Sequence, residues 1–451
     1  MVASIFLDFR LPNSASWFYF SFFLTLALFF QFNRVFSLRN WDLLALFLFT
    51  PGFLLVQEAN QLSAASASPA DPAGWDLSDR AVRERVIGYV WLLAACAFWF
   101  TRCIVDLGVG RRPPVTANLN MPGLLWFGGA LFLCLAAVAF SRPEDPWTPV
   151  GRRPAVLSGV EQGAASVFSQ AQTGTNGPPT AEALFYVSRS FAVLGHAVVV
   201  AGLIFLGWRH FRDLPTGVAA GGLYLLVPYA AYHFGQVHHV WPAALMLWAV
   251  FAFNRPTLAG ALLGLAVGIA FFPLALLPVW CQFFRGRGIG RFLGGFCGAA
   301  ILAGAATILS AYLTGGYNDA TMGGPYWPDW VPGKAPAAEG IWAGAHWAYR
   351  LPVFIAYAGF VLTTWLWPPV RNVGQLVAVS AAVLIGIQFW FADRGGQYVL
   401  WFAPLLIIVV LRPNLTDLQP ESPGPWPKVF GYVYAKIRRV PLEPVPPALA
   451  S

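Results

Sequence analysis

Apolar residues run through this sequence in long unbroken stretches instead of alternating with polar ones. From the N-terminus, stretches of membrane-spanning character cover Ala15–Phe32, Trp41–Val56, Val86–Asp106, Met121–Phe140, Ala183–Gly207, Gly217–Tyr232 and Val237–Phe253. They resume, after an ambiguous segment at Thr257–Phe284, with Gly290–Tyr312, Leu351–Trp367, Val373–Phe391 and Tyr398–Leu411. Several approach or exceed the ~18–20 residues that carry a helix across a hydrocarbon core. Apolar character that is continuous and not of period two argues against a membrane β-barrel. The predicted fold class is all-α: a polytopic integral membrane protein. No internal repeat of fixed period is detected.

The polar turns between these stretches carry the orientation signal. Arg34 and Arg39, Arg111 and Arg112, Arg209 and Arg212, and Arg255 fall in every second turn. Basic short loops are retained on the cytoplasmic side. That rule puts the N-terminus and the segments 57–85, 141–182 and 233–239 outside. If Thr257–Phe284 were a single span, Arg285, Arg287 and Arg291 would land outside, and every later loop would invert. A re-entrant hairpin removes the conflict. Thr257–Ala270 would climb, turn at Phe271, Phe272 and Pro273, and return through Leu274–Phe284. Arms of about 11–14 residues reach only about 16–21 Å, short of a ~30 Å core. Pro273 removes a helix hydrogen bond where the turn is needed. The expected architecture is about 11 full transmembrane helices plus this hairpin, or about 12 spans if the segment crosses outright.

Four regions follow. Residues 1–140 form an N-terminal bundle of four spans, and 141–182 an extracytoplasmic polar loop. Residues 183–412 form a membrane core with an outer loop at 313–349. Residues 413–451 form a Pro-rich cytoplasmic tail, whose KVFGYVYAKIRR stretch can rest on an anionic leaflet or stay solvated.

Composition narrows the class. The chain is 57% hydrophobic and 11% charged, which excludes an ordinary soluble protein. The net charge of +8 sits largely in short loops, so it implies membrane sidedness and no nucleic-acid partner. Cys96, Cys103, Cys134, Cys281 and Cys297 all lie in or beside apolar runs, without metal-ligand spacing. Neither disulfides nor a metal nor a cofactor is expected. No cleavable leader is expected either, because no small-residue cleavage site follows the first apolar run.

Candidate chemistry gathers on the face assigned to the outside. Asp145, with Glu144 beside it, begins the loop after the fourth span. A carboxylate there can deprotonate an acceptor hydroxyl, or it can be a solvated loop acid. His238 and His239 can bind phosphate or shuttle a proton, or they can serve as interfacial side chains bonded to loop carbonyls. Gln236 can hydrogen-bond a ligand or cap the following helix. Asp393 and Arg394 can pair locally, or Arg394 can hold a phosphate. Ionisable groups in mid-span look almost absent, with Glu58, Asp106 and Asp393 near span ends, which argues against ion-coupled transport.

One segment carries a resemblance. Gly235–Gln236 opens a span and a short basic turn follows. Then come Ala259, Gly260, Leu262, Leu263, Gly264 and Ala266, an aromatic-Pro pair, and a second apolar half. This pattern resembles the GT-C membrane glycosyltransferases, most closely the branch of polyprenyl-phosphomannose-dependent mannosyltransferases, over residues 183–411. The resemblance implies sugar transfer outside the membrane from a polyprenyl-phosphate donor, with an acid of the first large outer loop as base. Asp145 matches that role first and Glu144 second, with Gln236, His238, His239 and Arg394 as donor contacts. The implied partners are the lipid-linked sugar and membrane lipids. The family often has a Lys where this chain has Phe271 and Phe272, and the three spans before Met121 fall outside the pattern. The alternative expectation is a non-enzymatic scaffold or lipid-linked-glycan carrier, or a glycosyltransferase relative that has lost activity.

Overall fold

The computed structural model describes residues 14–66, 74–108, 117–141, 155–174, 179–313, 339–367, 370, 372–411 and 418–419. Among these residues the chain is helical and no strand occurs. Six helices are long and apolar enough to cross a membrane: Leu38–Ala65, Ser78–Gly108, Met121–Ser141, Ala181–Phe211, Ile289–Ala306 and Val373–Trp390. Shorter apolar helices lie between them. This is the make-up of a multi-pass membrane protein.

In chain order, α1 is Ser14–Phe29. Helix α2 (Leu38–Ala45) continues through one tight turn into α3 (Phe49–Ser66), and α4 is Gly74–Val105. Next come α5 (Met121–Ser141), α6 (Ala155–Thr173), α7 (Ala181–Leu206), α8 (Leu214–Leu226) and α9 (Pro228–Tyr232). Then follow α10 (Val237–Phe251), α11 (Pro256–Ile269), α12 (Leu277–Phe283), α13 (Ile289–Leu313), α14 (Leu351–Thr363), α15 (Val373–Trp390) and α16 (Ala403–Leu411). Local chemistry sets many boundaries. Ser37, Thr180, Asp213 and Asn372 each accept a backbone N–H of the helix they cap. Pro228 cannot donate to the preceding turn, so the stretch read as one span at 217–232 divides into α8 and α9.

Cross-helix contacts fix the directions. Helices α3 and α4 form an antiparallel hairpin: Gly52 meets Leu92, Gly88 meets Val56, and Arg85 donates to Ser63 Oγ at 2.8 Å. The segment read as a polar loop at 57–85 is therefore largely the extended end of this hairpin. Helices α7 and α10 run parallel, since Trp241 donates to the Phe191 carbonyl and Trp248 to that of Val198. Helices α14 and α15 run antiparallel, with Phe354 on Trp390 and the Tyr357 hydroxyl on the Val383 carbonyl.

The pair α11 and α13 decides the course of the chain around Pro273. Gly260, Gly264 and Gly268 line one face of α11, spaced four residues apart. A Cβ at Gly260 would strike the carbonyl of Phe292, at Gly264 that of Phe296, and at Gly268 the Ala303 side chain. From α13, Gly295 lies against the Thr257 carbonyl. Residue numbers rise together along both helices, so they are parallel and start at the same level. The intervening chain must therefore return. It breaks at Ala270, which is extended, passes through a tight turn at Phe272–Leu276, and comes back along α12. On the way back it meets α15 in the opposite sense. Phe271 stacks on Phe391, Trp280 donates to Ser380 Oγ at 3.2 Å, and Gln282 Oε1 accepts the Val370 N–H at 2.9 Å.

These directions give the bundle two ends. One holds Arg34, Arg39, Arg209, Arg212, Arg255, Arg285, Arg287 and Arg291. The other holds the 228–239 segment, the start of α7, the end of α5, residues 339–350 and the turn 391–402, with acids and bases mixed. Two expectations need correction. The polar segment 141–182 contains α6, a 19-residue helix, whose buried positions Glu161, Ala165 and Ser169 recur every four residues. Buried charge is also not confined to span ends. Arg189 lies inside α7 and is buried, while the buried cluster of Arg102 with Asp42 and Asp106 does sit at helix ends.

Candidate functional site

At the mixed-charge end, the break between α9 and α10 brings a set of imidazoles and aromatics together. His233 follows α9, and its Nδ1 lies 3.0 Å from Gln236 Oε1. An amide oxygen only accepts, so this contact puts a proton on His233 Nδ1. Gln236 occupies the capping position of α10, yet its side chain caps nothing and turns to His233 instead. His239, two residues into α10, is buried. Its Nδ1 accepts from Trp401 Nε1 at 3.2 Å. An indole only donates, so neutral His239 carries its proton on Nε2. The two imidazole rings sit 5.6 Å apart. His238 begins α10 at the same level; its side chain lies outside what the structure describes.

An aromatic file closes the site. Tyr398 stacks on Trp401 at 4.3 Å, and Trp401 stacks on Phe272 at 4.0 Å with the rings 10° from parallel. The tip of the returning segment thus ends against the ring that holds His239. Among the described residues no cation stands at the tip; Phe271 and Phe272 occupy it with π-surface. His233, His239, Gln397, Tyr398 and Leu400 line a narrow crevice without room for a water molecule, so a ligand there has to displace side chains.

A second line of polar groups leads away from the crevice. Gly235 has no side chain because Arg189 needs the space: a Cβ there would overlap the guanidinium. Arg189 is buried and lies over the Phe185 ring. Its neighbour Ser188 donates to Glu161 Oε1 of α6 at 3.3 Å, and Glu161 is buried as well. On the other side, Gln397 Nε2 donates to the Tyr89 hydroxyl at 3.2 Å, and Gln388 Oε1 accepts the Gly396 N–H at 2.9 Å.

Asp393 and Arg394 sit on the turn that supplies Gln397 and Tyr398, but not as a local pair. Arg394 Nε lies 2.9 Å from Glu339 Oε2 across the chain. Asp393 Oδ1 accepts the Glu339 N–H at 3.2 Å. Of the residues expected to bind ligand, His239 lines the crevice and Gln236 reaches it only through His233, while Asp393 and Arg394 stand one turn from it. Asp145 and Glu144 lie outside the described residues; Ser141, at the end of α5, is at this end of the bundle. Phe140 stacks on Tyr186 near the start of α7.

Arg189, Glu161, Tyr89, Gln397, Tyr398 and Trp401 were not singled out from sequence. Arg189 had a signal: an arginine within the apolar run Ala183–Gly207 marks a buried polar site. The aromatics had none in a chain with 20 Trp and 38 Phe. Among the described residues no group of acids, cysteines and histidines has the arrangement of a metal site. Compared with protein-family models, with curated proteins and with solved structures, the chain matches none.

Proposed function

We propose that this chain is an integral membrane glycosyltransferase of GT-C type, transferring a sugar from a polyprenyl-phosphate donor to an acceptor outside the membrane. The observation that carries the reading is the return of the chain between α11 and α13. In a bilayer that return is a re-entrant segment, with its Phe272 tip against Trp401 and His239. It leaves the described short arginine turns at one end, which the positive-inside rule assigns to the cytoplasm. The imidazole crevice then opens outside, at the end where α5 leads into Asp145. About 11 spans plus the hairpin fit this topology, with the shorter helices as tilted or broken spans.

The proposed chemistry is displacement at the anomeric carbon. Asp145, or Glu144, takes the proton of the acceptor hydroxyl. The polyprenyl phosphate leaves carrying negative charge, which His239 Nε2–H and Arg394 stabilise, with Gln236 and His238 contacting the donor. Asp145→Asn tests the base. Transfer from a labelled polyprenyl-phosphate sugar in isolated membranes should fall by about 10²–10⁴-fold. Undiminished transfer would remove Asp145 from the role.

One observation favours a second reading, a carrier or inactive relative. Phe271 and Phe272 occupy the tip where related enzymes often have a lysine, and they are locked by stacking on Phe391 and Trp401. A carrier binds the lipid-linked sugar saturably and gives no product, and its binding is indifferent to Asp145→Asn.

A further inference from the structure

The turn Ala392–Gln397 is clamped by a segment from the far side of the outer loop, and the clamp is made of exchangeable contacts. Arg394 adopts a left-handed backbone (φ 53°), rare for a residue with a side chain. It is kept there by hydrogen bonds. Its N–H donates to the Glu339 carbonyl at 2.9 Å, and its own carbonyl accepts from Gln397 N–H at 3.1 Å. Glu339 adds its carboxylate to Arg394 Nε and its N–H to Asp393. Gly340 (φ 116°) passes so close that a Cβ would stand 2.9 Å from Arg394 N. Beyond that, Trp342 Nε1 donates to the Phe389 carbonyl at 3.0 Å. The rest of the segment is largely exposed; Ile341 is 41% accessible. A segment with few buried apolar contacts opens locally at low cost.

We propose that Glu339 is a built-in stand-in for an anionic ligand, and that Arg394 exchanges it for the phosphate of a phosphate ester. The closest approach of the carboxylate to the guanidinium is Oε2 to Nε, at 2.9 Å. A phosphate can add a two-point contact with the Nη donors. With Glu339 in place, the two carboxylates outweigh the one guanidinium and repel an anion. Displacing Glu339 frees the turn that carries Gln397 and Tyr398, so the crevice wall responds to the exchange. Tyr89, which receives Gln397, lies within electrostatic reach of Glu339, Asp393 and Arg394. The exchange rests on the reading of this end as the site of a phosphate-bearing ligand, and it adds to that reading a gate set by the ligand's own charge.

Hydrogen exchange on the full chain in lipid nanodiscs tests it, following the backbone amides of Glu339 and Arg394. The probes are inorganic phosphate, a polyprenyl monophosphate and the matching uncharged polyprenol. Both phosphates should speed exchange at these amides at least tenfold, and polyprenol should not. Glu339→Gln, checked for an unchanged elution profile and helix content, should exchange fast without ligand and bind phosphate roughly tenfold tighter. If inorganic phosphate opens the clamp and the polyprenyl phosphate neither binds nor opens it, the exchange stands for a free anion and the lipid-donor reading falls. If the polyprenyl phosphate binds while both amides stay protected, the donor reading stands and the exchange is overturned. If neither phosphate binds and neither changes exchange at these amides, both are overturned.

Discussion

Arg102 and Arg394 stand at opposite ends of the bundle, each against carboxylates, and they are built for different work. Arg102 grips both oxygens of Asp42, at 2.8 and 2.7 Å, and one of Asp106 at 3.0 Å. The cluster is buried and joins α2 to the end of α4. Arg394 pairs with one carboxylate, that of Glu339 on a loop, with Nε 2.9 Å from Oε2. The first arrangement leaves little room for exchange and fastens helices together. The second rests on one carboxylate and sits one turn from a crevice. The arginine end is therefore read as scaffold and the histidine end as the place where ligands act.

The sharpest way to break this contrast is to remove each arginine. Arg102→Ala should cost about 3–5 kcal/mol, because it strands two buried carboxylates. Thermal or denaturant unfolding in micelles measures it. Arg394→Ala leaves one less enclosed carboxylate without its partner and should cost less, about 1–2 kcal/mol. Equal losses would erase the distinction.

Next in size is the backbone contact between α11 and α13. Gly264→Leu drives a side chain into the Phe296 carbonyl and should destabilise by about 1–3 kcal/mol or abolish folded expression. Leucine at Gly294, which meets nothing within 4 Å, is the control and should be nearly neutral. At the other end, Trp401→Phe keeps the stack on Phe272 and removes one donor to His239 Nδ1. It should cost only about 0.5–1.5 kcal/mol in stability. If the crevice is the site, the same change should lower ligand binding or transfer well beyond that structural loss.

How much of this was legible in the sequence differs between the two ends. The arginine turns follow a simple rule, and the structure gathers them on one end, with Arg285, Arg287 and Arg291 joining Arg209, Arg212 and Arg255. The break near Pro273 was legible too, but proline and two short arms left both a return and an outright crossing open. The run of Gly260, Gly264 and Ala266 was legible as a pattern, but its physical meaning is helix packing, which tests no chemistry. The histidine end was harder. Glu339 and Arg394 are far apart in the chain and meet only through the helix directions. Trp401 is one indole among many until the fold sets it on His239. Glu161 sits in a segment whose Gly and Ser content suggested a loop, and α7 and α13 supply the packing that holds α6 helical.

The account turns on the chain coming back between α11 and α13, and accessible-thiol labelling tests it most directly. Cys134 and Cys297 are exposed, so both are first replaced by serine. Single cysteines are then placed as Val35→Cys and Arg287→Cys, on the arginine end, and Ala343→Cys, on the histidine end. A membrane-impermeant maleimide is applied to sealed vesicles of known orientation. The fold predicts that positions 35 and 287 label from one side and position 343 from the other. Labelling of 287 from the side opposite 35, with 343 now on the same side as 35, would mean that the segment crosses outright, and the shared face on which the proposed site depends would not exist.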